Sequence, residues 1–222
     1  MIAQDPVERE YERLGPGIPL AEAWAADLAG TMFGRHFLGL LTIQNPLDTQ
    51  MILEIIWETR PEVIVECGSF RGGSALMWAS HLEACEIDGR VIAIDVDDNM
   101  DEARQRPLWG RRVTFFHGSS TAPEIIEQVI ELCAGKRTMV LLDSDHHAEH
   151  VAAELAAYAS LVTEGCYLLV QDTLTEKLVT DYGPGPLAAV EEFIATDDRF
   201  VVDRDRERLI LTMLPSGWLR RV

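Results

Sequence analysis

The chain has 222 residues, of which 47% are hydrophobic, and its 37 acidic and 19 basic side chains give a formal net charge of −18. A surface this acidic repels phosphate backbones, so we expect no nucleic-acid partner. No apolar run approaches the ~20 residues of a membrane-spanning helix. Met1 to Arg13 also lacks the basic and apolar regions of a signal peptide. These observations predict a cytoplasmic protein without a membrane partner.

Residues 1–50 are helical in pattern and are expected to form a lid over one domain that spans residues 51–222. A clear amphipathic helix is predicted at Thr49 to Thr59. Apolar runs typical of buried parallel strands follow it: Val63–Glu66, Val91–Asp95, Thr114–Phe116, Met139–Asp143 and Tyr167–Val170. Helical stretches separate and follow these strands: Ser74–Ala84, Asp98–Arg106, Ala122–Leu132, Ala148–Leu161 and Leu187–Ala195.

Alternating strands and helices predict a doubly wound α/β domain with a mostly parallel sheet. Near the end of the chain, Phe200–Val202 and Leu209–Leu211 are separated only by a short charged stretch. We therefore predict an antiparallel C-terminal hairpin at the edge of the sheet. A parallel sheet closed in this way is typical of the Rossmann-like class I methyltransferase fold.

The strongest local motif is the stretch from Glu66 to Ser74, where a strand ends in an acid, a glycine-rich loop follows and a helix begins. Gly68 lets the backbone approach a ligand closely, and the helix start near Ser74 offers free N–H groups. An acid at the loop entry repels phosphate but suits a cation, such as the amino group of S-adenosylmethionine. The alternative is a tight strand-to-helix turn that binds nothing.

Asp95 ends the second predicted strand, where a carboxylate can accept hydrogen bonds from ribose hydroxyls. Methyl donors and nicotinamide cofactors both carry a ribose. Asp95 therefore predicts a nucleoside-containing cofactor without choosing between these two classes.

Two further polar groups follow neighbouring strands: Asp143 with His146, and Gln171 with Asp172. Carboxylates from adjacent strand ends form an oxygen site suited to Mg²⁺. Such an ion could lower the pKa of a substrate hydroxyl, and His146 could take its proton near neutral pH. In the alternative interpretation, this segment is a loop whose Asp145 or Ser144 only caps the next helix.

Taken together, the motifs resemble those of the cephalosporin hydroxylase-like group, which includes rhamnosyl O-methyltransferases. The matching segments begin near Phe37 and keep their order to the end of the chain. They are Leu38-Gly39, Asn45 to Asp48, Glu54 to Pro61, Glu66 to Ser74, Leu142 to His146, Gln171 to Thr173, Gly183 to Pro186, Ala189 to Phe193 and Gly217 to Arg221.

The resemblance implies S-adenosylmethionine as cofactor, with Glu66 and Gly68 at its methionine part, Asp95 at its ribose and Gly118-Ser119 at its adenine. It implies Mg²⁺ as a second cofactor. The metal ligands would be Asp143, Gln171 and Asp172, and Asp143 would also contact the donor and take part in catalysis. His146 occupies the position at which catechol-type enzymes carry a catalytic lysine. Gln171 departs from the acidic pair that is usual in the family, which puts metal binding in question.

We therefore predict an O-methyltransferase that acts on a hydroxyl of a small molecule, either a sugar or a natural-product scaffold. Enzymes of this group commonly form homo-oligomers, and we expect the same here. Two alternatives stay open from the sequence. One is a nicotinamide-dependent oxidoreductase, and the other is a non-catalytic cofactor-binding partner of a biosynthetic enzyme.

Overall fold

A central seven-stranded sheet dominates the computed structural model, which describes residues 34–179, 181–209 and 211–222. The strands, including a separate two-stranded ribbon, are β1 (His36–Phe37), β2 (Leu40–Leu41), β3 (Val63–Cys67), β4 (Arg90–Asp95), β5 (Val113–His117), β6 (Thr138–Leu142), β7 (Tyr167–Val170), β8 (Phe200–Val202) and β9 (Trp218–Arg221). The α-helices are α1 (Pro46–Thr59), α2 (Gly73–Ala84), α3 (Asp101–Arg104), α4 (Pro107–Arg112), α5 (Pro123–Cys133), α6 (Ala148–Tyr158), α7 (Thr175–Leu178) and α8 (Pro186–Thr196).

The strand order is β5-β4-β3-β6-β7-β9-β8. The first five strands in this order are parallel, and β9 runs antiparallel to both of its neighbours, β7 and β8. Cys67, at the end of β3, pairs with Ile94 on one side and Leu142 on the other. The carboxyl ends of β4, β3 and β6 therefore lie level at one edge of the sheet. Open α/β sheets bind ligands outside this edge.

Helices cover both faces of the sheet, which explains why its parallel strands are continuously apolar. Alternate side chains of β3 point to opposite faces: Ile64 packs in the core beside α1 and α2, whereas Val63 and Val65 pack in the core beside α5 and α6. Every residue of β3 and β6 is buried. The predicted fold class is confirmed.

The predicted C-terminal hairpin is wrong in its second strand. The antiparallel partner of β8 is β9, while Leu209 and Leu211 lie outside any strand and Ile210 is not among the described residues. Trp218 and Leu219 are fully buried between β7 and β8. The charged stretch before Leu209 instead forms a 3₁₀ turn, and two of its arginines, Arg206 and Arg208, form ion pairs with Glu58 and Glu54 of α1.

The helical prediction for the first 50 residues can be compared with the structure only from Gly34 onward, since residues 1–33 lie outside the described part. From there the chain forms the β1–β2 ribbon rather than a helix, and α1 begins at Pro46. The predicted helix Asp98–Arg106 is replaced by the short helices α3 and α4, with Pro107 at the first position of α4. None of the described helices is both long and apolar enough to cross a membrane.

Candidate active site

A cavity of about 890 Å³ opens at the carboxyl ends of the parallel strands. Its walls include most of the residues singled out in the sequence: Gly68, Ser74, Asp95, Gly118, Asp143, His146 and Asp172. These residues come from loops after five parallel strands and from the start of α2. The topology therefore gathers into one pocket residues that are up to about a hundred positions apart in the chain.

Gly68 occupies the narrowest point between two of these loops. Its φ is +87°, a left-handed conformation that favours glycine, and its N–H donates to the carbonyl of Ile94 at 2.8 Å. A Cβ at Gly68 would overlap the backbone carbonyl of Asp143 and lie 2.7 Å from the Cα of Ser144. Glycine is thus required here for the close approach of the loops that follow β3 and β6.

Glu66 does not line the cavity, contrary to the expectation that it contacts the donor. Its side chain is 1% exposed, and its two oxygens accept hydrogen bonds of 2.7 Å from the Ser69 hydroxyl and the Trp78 indole N–H. Burial raises the pKa of the Glu66 carboxyl above its ordinary value, an effect that these hydrogen bonds oppose. In this arrangement Glu66 fixes the loop after β3 to α2.

Asp95 is placed as predicted, at the tip of β4 and on the cavity wall. Its Oδ2 accepts a 2.7 Å hydrogen bond from the backbone N–H of Phe70, and its Oδ1 accepts one of 2.9 Å from that of Asp97. These two bonds orient the carboxylate while leaving further lone pairs to accept hydroxyl donors. Ser74 lies nearby in the first turn of α2.

The loop after β5 differs from the expectation by one residue. Gly118 lines the cavity, but Ser119 does not, and its hydroxyl pairs with that of Thr121 at 2.9 Å. The adjacent Ser120 lines the wall instead and is 4% exposed. The direction of a side chain in a loop depends on φ and ψ, which the sequence pattern does not specify.

At the other end of the cavity, Asp143, His146 and Asp172 each offer a ligand atom, and these atoms lie within 4.8 Å of one another. His146 Nε2 is 3.4 Å from Asp172 Oδ2. Burial raises the pKa of Asp143 well above its ordinary range, and the neighbouring Asp172 raises it further. Burial also raises the pKa of Asp172, while His146 lowers it.

Two carboxylates so close together and largely shielded from solvent repel each other unless a proton or a cation lies between them. Asp172 also adopts a left-handed backbone conformation, with φ of 55°, which is unfavourable outside glycine and is concentrated at functional sites. The carboxylate oxygens of Asp143 and Asp172 fit a divalent cation such as Mg²⁺, which prefers oxygen ligands.

Gln171, which was expected to be a metal ligand, forms a hydrogen bond with Gln44. It does not line the cavity; its Nε2 donates to Gln44 Oε1 at 3.1 Å, and Gln44 Nε2 donates to Asp143 Oδ2 at 2.7 Å. Gln44 thus presents its N–H to Asp143 and its carbonyl oxygen to Gln171. The two amides thus form a chain that holds Asp143.

Sequence reasoning missed Gln44 because it lies in the short link between β2, a strand that the sequence did not predict, and α1. It also missed Leu178 and Val179, which form an apolar wall of the cavity together with Tyr182. The ring of Tyr182 stacks on His147, with centroids 5.3 Å apart and planes at 15°. Leu178 and Val179 are half exposed, so this wall forms an apolar lip at the entrance.

Solved methyltransferase structures share this fold. The structure described as cmcI-D160 Mg-SAM has a TM-score of 0.67 and 25% identity, and the match covers 94% of this chain and 86% of that chain. MycE methyltransferase from the mycinamycin biosynthetic pathway, in complex with Mg, SAH and mycinamycin VI, has a TM-score of 0.51 and 17% identity, covering 87% and 54%. These neighbours show that the fold is that of the class I methyltransferases.

Sequence comparison gives the family. The rhamnosyl O-methyltransferase of Mycobacterium tuberculosis (strain ATCC 25618 / H37Rv) is 32% identical over 197 residues, which are 83% of this chain and 77% of that protein. The sequence model of Rhamnosyl O-methyltransferase/CmcI matches residues 30–222, and the chain belongs to this family. The enzyme is therefore an S-adenosylmethionine-dependent O-methyltransferase, and the oxidoreductase and non-catalytic alternatives are not favoured.

Proposed function

We propose that this enzyme methylates a hydroxyl of a small molecule held between the Asp143–His146–Asp172 cluster and the apolar lip. One observation carries the proposal: this cluster lies in the same cavity as Gly68 and Asp95. A donor bound along the strand tips would therefore bring its methyl group to this cluster. Among the described residues, it is the only group of three His, Cys, Asp or Glu side chains that could hold a metal ion.

The strand order suggests how the donor lies. Asp95 at the tip of β4 would accept from the ribose hydroxyls, and Gly68 and Ser74 would hold the methionine part. Gly118 and Ser120 follow β5, the strand farthest from Asp172 in the parallel part of the sheet. The adenine, at the end of the donor remote from the methyl group, would therefore lie beside Gly118 and Ser120.

Asp143 and Asp172 would hold Mg²⁺, and the ion would polarise the acceptor hydroxyl. His146, 3.4 Å from Asp172, is positioned to take the hydroxyl proton. The acceptor oxygen forms a bond to the methyl carbon as the carbon–sulfur bond of the donor breaks, leaving S-adenosylhomocysteine. Gln44 and Gln171 would support the reaction by keeping Asp143 in place.

The acceptor is proposed to be uncharged. Four carboxylates line the cavity, those of Asp95, Asp143, Asp145 and Asp172, and no Lys or Arg among the described residues does so. An anionic acceptor would therefore have no basic side chain of the described wall with which to form an ion pair. The name of the mycobacterial relative is consistent with this proposal, since it specifies a rhamnosyl group, which is a neutral sugar.

Calorimetric titration of Mg²⁺ into protein saturated with S-adenosylhomocysteine tests the cluster. We expect binding that weakens at least tenfold in Asp172→Asn, because one of two carboxylate ligands loses its charge. Asp145→Asn is the matched control, since Asp145 lines the same cavity but lies outside the cluster, and it should bind Mg²⁺ nearly as the unmodified protein does. Equal loss in both variants would mean that only the general negative charge attracts the ion.

Several broader features belong to the same proposal. The acceptor would be a sugar or a natural-product scaffold, the enzyme would act in the cytoplasm, and it would assemble as a homo-oligomer. Residues 1–50 would form a lid and residues 51–222 the methyltransferase domain. In support of the lid, Leu41 to Gln44 line the cavity.

A further inference from the structure

Glu154 is a carboxylate that the proposed reaction does not use, although it lies directly behind the cavity wall. It belongs to α6, is fully buried and does not itself line the cavity. Its Oε1 accepts hydrogen bonds from the hydroxyls of Ser120 at 2.5 Å and Ser144 at 2.6 Å. Its Oε2 is buried and has no hydrogen-bond partner among the described residues.

Both serines lie on the cavity wall, one after β5 and the other after β6. A hydroxyl has one proton and two lone pairs, and here each proton is used in the bond to Glu154. Towards the cavity, Ser120 and Ser144 can therefore only accept hydrogen bonds. Glu154 thus fixes the hydrogen-bonding character of this part of the wall.

His150 strengthens the same arrangement. Its Nε2 lies 3.2 Å from the Ser120 hydroxyl oxygen and 3.4 Å from Glu154 Oε1. The hydrogen bond to Glu154 raises the pKa of His150, which favours the protonated imidazole and leaves Glu154 as the acceptor. The hydroxyl of Tyr158 also donates to the carbonyl of Ser120 at 2.5 Å, which fixes the backbone of this loop.

We infer that Glu154 is a positioning residue that makes the wall at Ser120 and Ser144 selective for a ligand with a hydrogen-bond donor, namely the exocyclic amine of adenine. The inference rests on the proposed donor orientation, which places the adenine beside Gly118 and Ser120. A base with a carbonyl oxygen at that position would face two hydroxyl oxygens whose protons are committed elsewhere. Buried polar groups that are left unpaired in this way reject a ligand strongly.

Calorimetry with two ligands tests the inference: S-adenosylhomocysteine and S-inosylhomocysteine, in which a carbonyl oxygen replaces the amine. We expect the unmodified protein to bind the first ligand roughly tenfold to a hundredfold more tightly. The reason is that the second ligand would leave one or two buried polar groups without hydrogen bonds. Glu154→Leu frees both hydroxyl protons to turn towards the ligand, so the preference should fall to within about threefold. Glu154→Gln keeps an oxygen acceptor for both serines and should retain the preference.

Glu149→Leu is the control for loss of a carboxylate from the same helix, because Glu149 is exposed. Equal affinity of the unmodified protein for both ligands would overturn the inference, as would an undiminished preference in Glu154→Leu. If circular dichroism shows that Glu154→Leu does not fold, the double variant Ser120→Ala and Ser144→Ala decides, since it must lose the preference. If the unmodified protein binds neither ligand, the donor site itself is refuted, which is a different result.

Discussion

His146 faces the cavity beside Asp172, and the assignment of proton transfer depends on it. Replacing it by alanine removes the base but leaves the groups proposed to bind the donor. We expect His146→Ala to lower kcat by about 10²- to 10⁴-fold while the Kd for S-adenosylhomocysteine changes little. Steady-state kinetics together with calorimetry would measure both quantities.

The neighbouring His147 provides the control for this variant. Its ring is exposed, pairs with Asp145 at 2.6 Å and stacks on Tyr182 rather than joining the cluster. His147→Ala should keep kcat within a few-fold of the original value. A loss of less than threefold in His146→Ala would refute the role of His146 as the base.

Single residues could be predicted where the backbone alone decides their place. Asp143, His146 and Asp172 follow the ends of adjacent parallel strands, so their convergence follows from the topology. Glu66 and Ser119 do not line the cavity, because the direction of a side chain is decided by packing and by loop dihedral angles. Gln44 was missed because it reaches Asp143 from 99 positions away in the chain.

The close approach of the loops after β3 and β6 depends on Gly68, which has no side chain to hold them apart. Gly68→Ala would force its Cβ against the backbone of Asp143 and Ser144. We expect a destabilisation of more than about 2 kcal/mol, because a steric clash adds to the left-handed strain of ~1–2 kcal/mol. Urea unfolding would measure it.

Gly135 is a matched control for the backbone strain. Its φ is +70°, but a Cβ there would meet nothing within 4 Å. Gly135→Ala should therefore lose only the left-handed strain, about 1 kcal/mol. Equal destabilisation by the two substitutions would show that close approach at Gly68 is unimportant.

The first turn of α1 is joined to the loop before β9 by Asp48, whose Oδ2 accepts a 2.8 Å hydrogen bond from the N–H of Met213. Burial raises the pKa of Asp48 from 3.8 to about 6. Between these values the folded state binds more protons than the unfolded state, so this group lowers stability as pH rises from about 4 to 6. The total effect is about 3 kcal/mol at 1.36 kcal/mol per pKa unit.

Asp48→Asn removes this titration while keeping an oxygen for Met213. The stability of the variant relative to the unmodified protein should therefore rise by on the order of 3 kcal/mol between pH 4 and pH 7. Urea unfolding at both pH values in EDTA would show it, with Asp198→Asn as an exposed control. A difference independent of pH would contradict the assigned burial of the Asp48 charge.

Elements were predicted well where apolar runs are long, and less well at the end of the chain. The strands β3 to β7 and most of the helices could be located because a parallel sheet covered on both faces requires continuous apolar segments. β9 was missed because half of it, Arg220 and Arg221, is charged, while the apolar residues Leu209 and Leu211 looked more strand-like. Arg206 and Arg208 of this region form tertiary ion pairs with α1, which sequence periodicity does not reveal.

At the scale of the whole molecule, the fold brings five strand ends and the start of α2 around one cavity of about 890 Å³. The doubly wound topology is what makes this possible, because parallel strands place all their carboxyl ends at the same edge. Topology could therefore be predicted from the pattern of elements. The shape of the acceptor end could not, since its lip comes from loops whose packing has no periodic signal.

The most direct test of the donor site is calorimetric titration of S-adenosylhomocysteine into the protein and into Asp95→Asn. Asp97→Asn serves as the control because Asp97 is an exposed acid two positions away. We predict that the unmodified protein and the control bind with similar micromolar affinity. Asp95→Asn should bind roughly tenfold to a hundredfold more weakly, since hydrogen bonds to a charged acceptor contribute ~1.5–3 kcal/mol. Absence of binding, or equal affinity in all three proteins, would contradict the placement of the donor along the strand tips.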